Sequence, residues 1–295
     1  MDIGPYVLQL FSGLSRAMVL FLLSAGLSLI FGVMNILNFA HATLWLLGGY
    51  ITFSIFQFLS EHLVASPWWL LPATVGATAV MVMVGFALER LLIRRTYDRD
   101  LPEQLLLTFA LVLIIGDIIK LVWGVENRRI NLGVQPLEMF DTLINPYHFV
   151  IVGAGVAVAA SLWLFLHRTR FGRIVRAAVY SRSMVSALGI PIPLIYAFVF
   201  AAGVGLAGFA GGVFLPLLPV ALGVDHDVIV QCFAVVVIGG FGSMLGTFVA
   251  SIIVGVVYSF AILFWPDGAL AMIFLIVVVV LIWRPWGLFG TELRY

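Results

Sequence analysis

Residues 17–60 read AMVLFLLSAGLSLIFGVMNILNFAHATLWLLGGYITFSIFQFLS, and none of these 44 residues is Asp, Glu, Lys or Arg. As one straight helix the stretch would extend roughly 66 Å, well beyond the ~30 Å hydrocarbon core of a bilayer. It must therefore turn inside a membrane or at its edge. We predict the turn at its most polar run, residues 32–43.

A second uncharged stretch covers residues 228–265, which would extend roughly 57 Å as one helix. Its predicted turn is the glycine-rich run GGFGSMLG at 239–246. Non-helical backbone at membrane depth is tolerated only where protein buries it or where it lines a wet cavity. The two turns are therefore the first candidates for a translocation pathway.

The composition of the whole chain agrees with a bilayer as its solvent. Of 295 residues, 63% are hydrophobic and 10% are charged, and the mean hydropathy is +1.17. A soluble domain carries about 25% charged residues. The net charge of +1 argues against a nucleic-acid partner, and the single cysteine, Cys232, excludes an internal disulfide. We expect one all-α polytopic domain over residues 1–295.

The number of membrane segments is predicted as roughly eight to ten, including broken or re-entrant helices. A glycine-containing turn in each half hints at an inverted repeat. The small residues around Gly208 and Gly212 indicate close helix packing. The clear candidate spans are 7–31, 42–60, 68–88, 104–123, 148–166, 194–215 and 268–283.

Arginine placement predicts the orientation. Loops 61–67, 221–227 and 265–267 contain no Lys or Arg, and the positive-inside rule places the arginine-rich loops in the cytoplasm. For the C-terminus to be cytoplasmic as well, the run at 239–246 must form a re-entrant hairpin or an extra short crossing. The arginines concerned are Arg90, Arg94, Arg95, Arg99, Arg168, Arg170, Arg173, Arg176, Arg182, Arg284 and Arg294.

The first turn supplies the hydrogen-bonding side chains Asn35, Asn38, His41 and Thr43. If the segment is helical, Asn35 and Asn38 share one face. The four residues either form a polar lining for a zwitterionic or amide-bearing solute, or cap broken helices and join neighbouring ones. Both interpretations stay open.

The second turn contains Gly239, Gly240, Gly242 and Ser243, followed by Gly246. Its glycines either present backbone N–H groups to a substrate carboxylate at a half-helix end or allow close helix packing. We favour the broken helix because the stretch is too long otherwise.

Two charged positions fall inside predicted spans. Asp117 has Lys120 three residues later on the same helix face, which favours a local pair near the interface with a snorkelling lysine. Arg16 lies two or three turns inside the first span, and would snorkel if that span began later.

The sequence contains no motif that would supply chemistry or energy. Lys120 is the only lysine and follows Ile119, so no Walker A motif is present. The five histidines have no metal-ligand spacing, and no GxSxG motif occurs. We therefore expect neither an enzyme nor a bound cofactor, and an external motor if the chain transports.

The loop at 167–193 is the candidate docking segment for such a motor. Arg170, Arg173 and Arg176 recur every three residues among apolar side chains, which predicts one or two short amphipathic helices that end at Gly189 and Pro191. The alternative is an arginine cluster that lies on anionic lipid headgroups.

Three segments resemble the branched-chain amino-acid ABC permeases of the LivH type. They are GLSLIFGVMNILNFAH at 26–41 with LGGY at 47–50, RFGRIVRA at 170–177 with ALGI at 187–190, and VVIGGFGSMLG at 236–246 with RPWGLFG at 284–290. Ala42, where the family usually has Gly, and Arg16, where it usually has a small neutral residue, depart from the pattern. These departures concern the identity of the solute.

The resemblance implies a permease subunit in a bacterial inner membrane that works by alternating access. Its partners would be a second, homologous permease, two ATP-binding cassette ATPases that use the ATP, and a periplasmic solute-binding protein. The coupling residues would be Arg170, Phe171, Gly172, Arg173, Arg176, Leu188 and Gly189.

Two other functions remain as alternatives. A stand-alone channel for urea or an amide would also need a polar lining in an apolar bundle. A membrane-bound enzyme is less favoured because the sequence shows no catalytic constellation. Branched-chain amino acids are the default solute that the resemblance implies.

Overall fold

A computed structural model describes residues 3–63, 66–139 and 142–290, so Arg294 lies outside the described residues. Within this part, eleven α-helices and one two-stranded hairpin are formed. The helices are α1 (Gly4–Met34), α2 (His41–His62), α3 (Leu70–Leu91), α4 (Leu101–Trp123), α5 (Tyr147–Arg168), α6 (Arg170–Tyr180), α7 (Arg182–Ala187), α8 (Ile192–Phe214), α9 (Val224–Gly239), α10 (Met244–Phe264) and α11 (Ala269–Trp283).

Eight helical segments are long and apolar enough to cross a membrane. They include α1 and α2, which separate at residues 35–40, and α10, which begins after the glycine-rich run. The predicted all-α polytopic fold with broken helices is confirmed, and the protein is a multi-pass membrane protein. The predicted internal repeat stays a prediction.

The α9–α10 hairpin connects the two ends of the bundle. Helix α9 has 16 residues, or about 24 Å. Its end lies beside α6, as the close approach of Gly242 to Val179 of α6 shows. The segment that follows α11 returns to the same place, where Leu288 N–H donates to Ile238 O. An extra short crossing, rather than a hairpin that turns back midway, therefore brings the C-terminal segment to the arginine-rich end.

Helix α1 forms the centre of the bundle and packs against α5, α8, α9 and α10. Several of its contacts are possible only without a side chain. A Cβ on Gly26 would lie 2.7 Å from the carbonyl oxygen of Gly203 in α8. Between α2 and α8, a Cβ on Gly48 would lie 2.4 Å from the Cα of Gly208. Close backbone packing, which the sequence predicts for the Gly208 region, is confirmed.

The end of the bundle opposite the arginine-rich end contains the longest connection between helices, from Trp123 to Tyr147. Strands β1 (Leu137–Met139) and β2 (Thr142–Ile144) form an antiparallel hairpin there. Arg128 and Val220 exchange backbone hydrogen bonds of 3.0 and 2.9 Å, which ties this connection to the one between α8 and α9.

Candidate functional site

The break between α1 and α2 has an irregular backbone. Asn35 ends α1 in the left-handed conformation with φ 57°, and its N–H donates to Phe31 O at 2.8 Å. Residues 35–40 are not helical, so Asn35 and Asn38 do not share a helix face. Asn35 is exposed, whereas Asn38 is fully buried and accepts a hydrogen bond from Ala40 N–H at 3.1 Å.

The break lies inside the bundle rather than at its end. His41, the first residue of α2, places Nε2 3.0 Å from the carbonyl oxygen of Leu23. Leu23 precedes Met34, the end of α1, by eleven residues, which is about 16 Å along the helix. The connection therefore runs back along α1 before α2 begins. The N-terminus of α2, with its positive dipole end, lies at depth in the bundle.

Three buried polar atoms near this N-terminus have no hydrogen-bond partner among the described residues: Asn38 Nδ2, His41 Nδ1 and Trp45 Nε1. His41 and Trp45 are four residues apart, so they share a face of α2. Because a carbonyl can only accept, His41 Nε2 carries the proton toward Leu23, and the neutral ring leaves Nδ1 as an acceptor. The site therefore combines two free donors with one free acceptor.

Thr43 points to a different helix from His41. Its hydroxyl donates to Asp225 Oδ2 at 2.6 Å, and both side chains are buried. Asp225 lies in the first turn of α9, where the helix dipole favours a carboxylate. Sequence reasoning missed Asp225 because it assigned residues 221–227 to an exposed loop. The signal was available, since two aspartates within the four residues after Gly223 are typical of the first turn of a helix.

The turn between α9 and α10 has its backbone donors already engaged. The N–H groups of Gly240, Gly242 and Gly246 donate to Val236 O, Ser28 Oγ and Ser243 Oγ at 2.9, 3.1 and 3.1 Å. A Cβ on Gly246 would lie 1.9 Å from the carbonyl oxygen of Gly239. This geometry favours close packing over free N–H groups as the reason for the glycines.

The two turns meet at one point. Gly242 contacts Gly32 near the end of α1, and the rings of Phe31 and Phe241 lie 4.3 Å apart. Gly239, Gly240, Gly242 and Ser243 are therefore near the C-terminal turn of α1, which leads into Asn35. Asn38 and His41 lie deeper, and Thr43 is held against α9. The eight predicted pathway residues form a chain of neighbours rather than one pocket, and their role stays a prediction.

The predicted coupling segment folds as two short helices, as expected. Thr169 caps α6 through its Oγ1, which accepts from Gly172 N–H at 3.0 Å, and Ser181 caps α7. Gly172 is buried against Leu166, and Phe171 packs on the ring of Phe198. The exposed face of this segment displays Arg170, Arg173, Tyr180, Met184, Leu188 and Gly189.

Arg176 differs from its neighbours in this segment. It is half-buried, and its Nε is a buried atom without a partner in the described part of the chain. Gly189 adopts a positive φ of 79° and ends the segment as predicted. Docking on an ATPase and contact with lipid headgroups would use the same exposed face, so the coupling role stays a prediction.

A polar cluster that sequence reasoning did not single out lies at the end of α3. The fully buried Glu89 receives Arg94 Nε and Nη2 at 3.1 and 3.2 Å, and the hydroxyl of Tyr97. Burial, reinforced by the bond to Glu89, raises the pKa of Tyr97, and the same carboxylate raises the pKa of Arg94. Tyr97 and Arg182 also line a cavity of about 370 Å³ beside Met34.

The two charged positions inside spans behave differently from the expectation. Asp117 and Lys120 are both exposed on α4, and they form no ion pair within the described residues, which corrects the predicted local pair. Arg16 does not snorkel, because α1 begins at Gly4, earlier than predicted, and the guanidinium turns inward to Gln231 of α9.

Comparison with known proteins places the chain among transport permeases. The family described as "Branched-chain amino acid transport system / permease component" matches residues 9–283. The high-affinity branched-chain amino acid transport system permease protein BraD of Pseudomonas aeruginosa is 27% identical over 98% of this chain and 97% of its own. LivH of Escherichia coli, which has the same description, is 24% identical over 97% of this chain and 96% of its own.

A further relative and a solved structure are also similar to this chain. The probable branched-chain amino acid transport permease protein LivH of Methanocaldococcus jannaschii is 24% identical over 93% of this chain and 89% of its own. Among solved structures, PsaBC from Streptococcus pneumoniae in complex with Fab covers 91% of this chain and 87% of that chain. Its TM-score is 0.45 and its identity is 11%.

Proposed function

Because the chain belongs to the family of branched-chain amino-acid transport permeases, we propose that it forms half of the membrane pathway of an ATP-driven importer. Its solute is a branched-chain amino acid or a closely related small polar molecule. It resides in a bacterial inner membrane, with the arginine-rich end in the cytoplasm. A homologous permease, two ATPases and a periplasmic binding protein complete the transporter.

The observation that carries the choice of solute is the set of unpaired polar atoms at the start of α2. An amino-acid zwitterion needs donors for its carboxylate and an acceptor for its ammonium group. Asn38 Nδ2 and Trp45 Nε1 are free donors, and His41 Nδ1 is a free acceptor. A buried polar atom without a partner costs about 1–3 kcal/mol, so its retention favours a role in another conformation.

The exposed face of α6 and α7 supports docking of an ATPase. Tyr180, Met184 and Leu188 are 82%, 68% and 75% exposed next to several arginines. Apolar side chains ringed by charge are typical of a protein interface. In the proposed mechanism, ATP-driven closure of the ATPases moves this segment, and the two permeases alternate between outward and inward access.

The test is uptake of radiolabelled leucine by proteoliposomes that contain this chain, its sister permease, the ATPases and the binding protein. We expect uptake that requires ATP inside the vesicle and stops with an ATPase variant that cannot hydrolyse it. Purification of the tagged chain from native membranes should recover the two ATPases and the sister permease. Solute flux through vesicles that contain this chain alone, without ATP, would instead establish the channel alternative.

A further inference from the structure

Arg16 occupies an unusual position for an arginine in a membrane protein. It lies twelve residues after the start of α1, or about 18 Å along the helix. Neighbouring Ser15 donates to the carbonyl oxygen of His148 at the start of α5, at the end of the bundle opposite α6. Charged groups inside a membrane are rare and mark functional sites by default.

The guanidinium is held in place by one residue from each of two other helices. Arg16 Nε donates to Gln231 Oε1 of α9 at 3.3 Å, and Gln231 is buried. Arg16 Cζ lies 4.0 Å from the ring centroid of Tyr258 in α10. Stacking on an aromatic face fixes the plane of the guanidinium without neutralising its charge.

The charge itself is left without a close partner. Within the part of the chain that the structure describes, no carboxylate lies within 4.0 Å of Arg16, and neither Nη1 nor Nη2 makes a hydrogen bond. Asp227, exposed in the first turn of α9, acts on Arg16 only at longer range. The outer edge of the guanidinium fork is therefore oriented and has no protein partner among the described residues.

This edge lies near the end of the bundle opposite the arginine-rich loops. Gln231 lies seven residues into α9, so the guanidinium is about 10 Å below the start of that helix at Val224. Arg16 is itself only partly buried. The edge formed by Nη1 and Nη2 presents two parallel N–H groups, which match a carboxylate in a bidentate geometry.

We infer that Arg16 binds the carboxylate of the solute at the outer mouth of the pathway, with Gln231 and Tyr258 as positioning residues. This contact comes first on the way inward, before the carboxylate reaches the free donors at the start of α2. The inference rests on the proposed function, because it assigns the carboxylate of a transported amino acid to this guanidinium. It also limits the solute class: a neutral amide or urea has no anionic group that would pair with Arg16.

The test is protection of Arg16 from phenylglyoxal in membrane vesicles that contain the assembled transporter without ATP. Modification is quantified by mass spectrometry of the Arg16 peptide, in the presence of leucine or of leucinol, which lacks the carboxylate. We expect saturating leucine to slow modification at least threefold and leucinol to have no effect. Arg129, which is exposed near the same end, is the internal control. It should react at the same rate with leucine, with leucinol and without either.

Equal modification with and without leucine, protection by leucinol as well, or an unreactive Arg16 would overturn the inference. A role limited to holding α1, α9 and α10 together predicts the first of these results. The measurement does not require ATP. Leucine protection without ATP-driven uptake would therefore reject the proposed importer alone, and uptake without protection would reject only the assignment of Arg16.

A second arm uses variants of the same residue in the reconstituted transporter. We expect Arg16→Gln to lower the rate of leucine uptake at least tenfold and Arg16→Lys, which retains the charge but not the fork, to lower it less. Arg129→Gln should stay within twofold of the unmodified chain. Similar uptake by Arg16→Gln and the unmodified chain would also overturn the inference.

Discussion

At the scale of single residues, Trp45 isolates the contribution of one unpaired atom. Its Nε1 has no partner among the described residues, so Trp45→Phe removes a buried donor without breaking a hydrogen bond. We expect the unfolding temperature in detergent to stay within a few degrees of that of the unmodified chain. The smaller ring loses packing contacts, and removal of the unpaired N–H, which costs desolvation free energy, offsets that loss. Leucine uptake should fall several-fold.

The control for this variant is Trp68→Phe, at a tryptophan that is 84% exposed. It should change neither the unfolding temperature nor uptake. If Trp45→Phe transports like the unmodified chain, the free donor takes no part in binding the solute, and the site reduces to Asn38 and His41.

Thr43 and Asp225 test a buried bond that holds two helices together. Thr43→Val removes the hydroxyl that donates to Asp225 at 2.6 Å and leaves a buried carboxylate without this donor. The expected cost is about 1–3 kcal/mol in the free energy of unfolding. Adding Asp225→Asn should recover part of that cost, since the uncompensated charge is then absent.

Thr78→Val is the matched control, because its hydroxyl bonds only to Thr74 O in the preceding turn of its own helix. Thermal unfolding of the three variants and the unmodified chain in the same detergent supplies the comparison. Equal effects of Thr43→Val and Thr78→Val would mean that the bond between α2 and α9 contributes nothing specific.

At the scale of elements, the contact between α2 and α8 depends on the absence of side chains. Gly48→Ala would place a Cβ 2.4 Å from Gly208 Cα, and backbone cannot yield as a flexible side chain can. We expect a loss of about 1–3 kcal/mol or more, seen as a lower unfolding temperature and a lower yield of monodisperse protein.

Gly153→Ala on α5 is the comparison, since a Cβ there meets nothing within 4 Å. It should be neutral or stabilising by up to about 1 kcal/mol, the difference in helix propensity between the two residues. A Gly48→Ala protein as stable as Gly153→Ala would show that α2 and α8 are farther apart in the membrane than in this structure.

The segment formed by α6 and α7 allows a test of coupling. Arg173 is exposed and makes no hydrogen bond or ion pair through its side chain within residues 3–63, 66–139 and 142–290, so Arg173→Glu should leave the fold unchanged. If α6 docks on the ATPase, reversing this charge should abolish leucine uptake while ATP hydrolysis and membrane insertion continue.

Arg90→Glu, an exposed charge reversal at the same end of the bundle, separates docking from a general effect on lipid headgroups. Equal loss of uptake in the two variants would favour the headgroup interpretation. Retained uptake in Arg173→Glu would reject the assignment of Arg173 as a coupling residue.

At the scale of the whole molecule, the sequence predicts the fold well because its main constraint is length. An uncharged stretch of 44 residues cannot cross a bilayer once, so the breaks near Asn38 and Gly240 follow from arithmetic. The short crossing α9 could be expected only as one of two solutions to the orientation of the C-terminus. The sequence contains no signal for how far the connection between α1 and α2 returns into the bundle. That depth depends on the contact between His41 and Leu23.

The candidate site was predicted less completely, for a related reason. Polar side chains in an apolar run are visible in the sequence, which identifies Asn38, His41 and Thr43. Their partners come from distant parts of the chain, as Asp225 does for Thr43 and Gln231 does for Arg16. The sequence alone presents Trp45 as an apolar residue. Its role as a polar group is visible only in the structure, where Nε1 is buried without an acceptor among the described residues.

The C-terminal segment connects α11 to the α9–α10 turn and therefore affects the bundle as a whole. The N–H groups of Leu288 and Phe289 donate to the carbonyl oxygens of Ile238 and Gly239, at 2.8 and 3.2 Å. These carbonyls belong to the last turn of α9. The helix ends there, so it has no further N–H groups that could donate to them. Gly287, with φ 79°, lets the segment approach the turn closely.

Truncation after Arg284 should therefore loosen the turn without removing any helix. We expect amide hydrogen exchange at residues 240–247 to accelerate at least tenfold in detergent, while exchange in α2 and α8 stays unchanged, because only the turn loses its hydrogen-bond donors. Truncation after Gly290 retains both donors and should exchange like the full chain. If the two truncations exchange equally at 240–247, the segment does not hold the turn, and α9 must be capped by another group in the membrane.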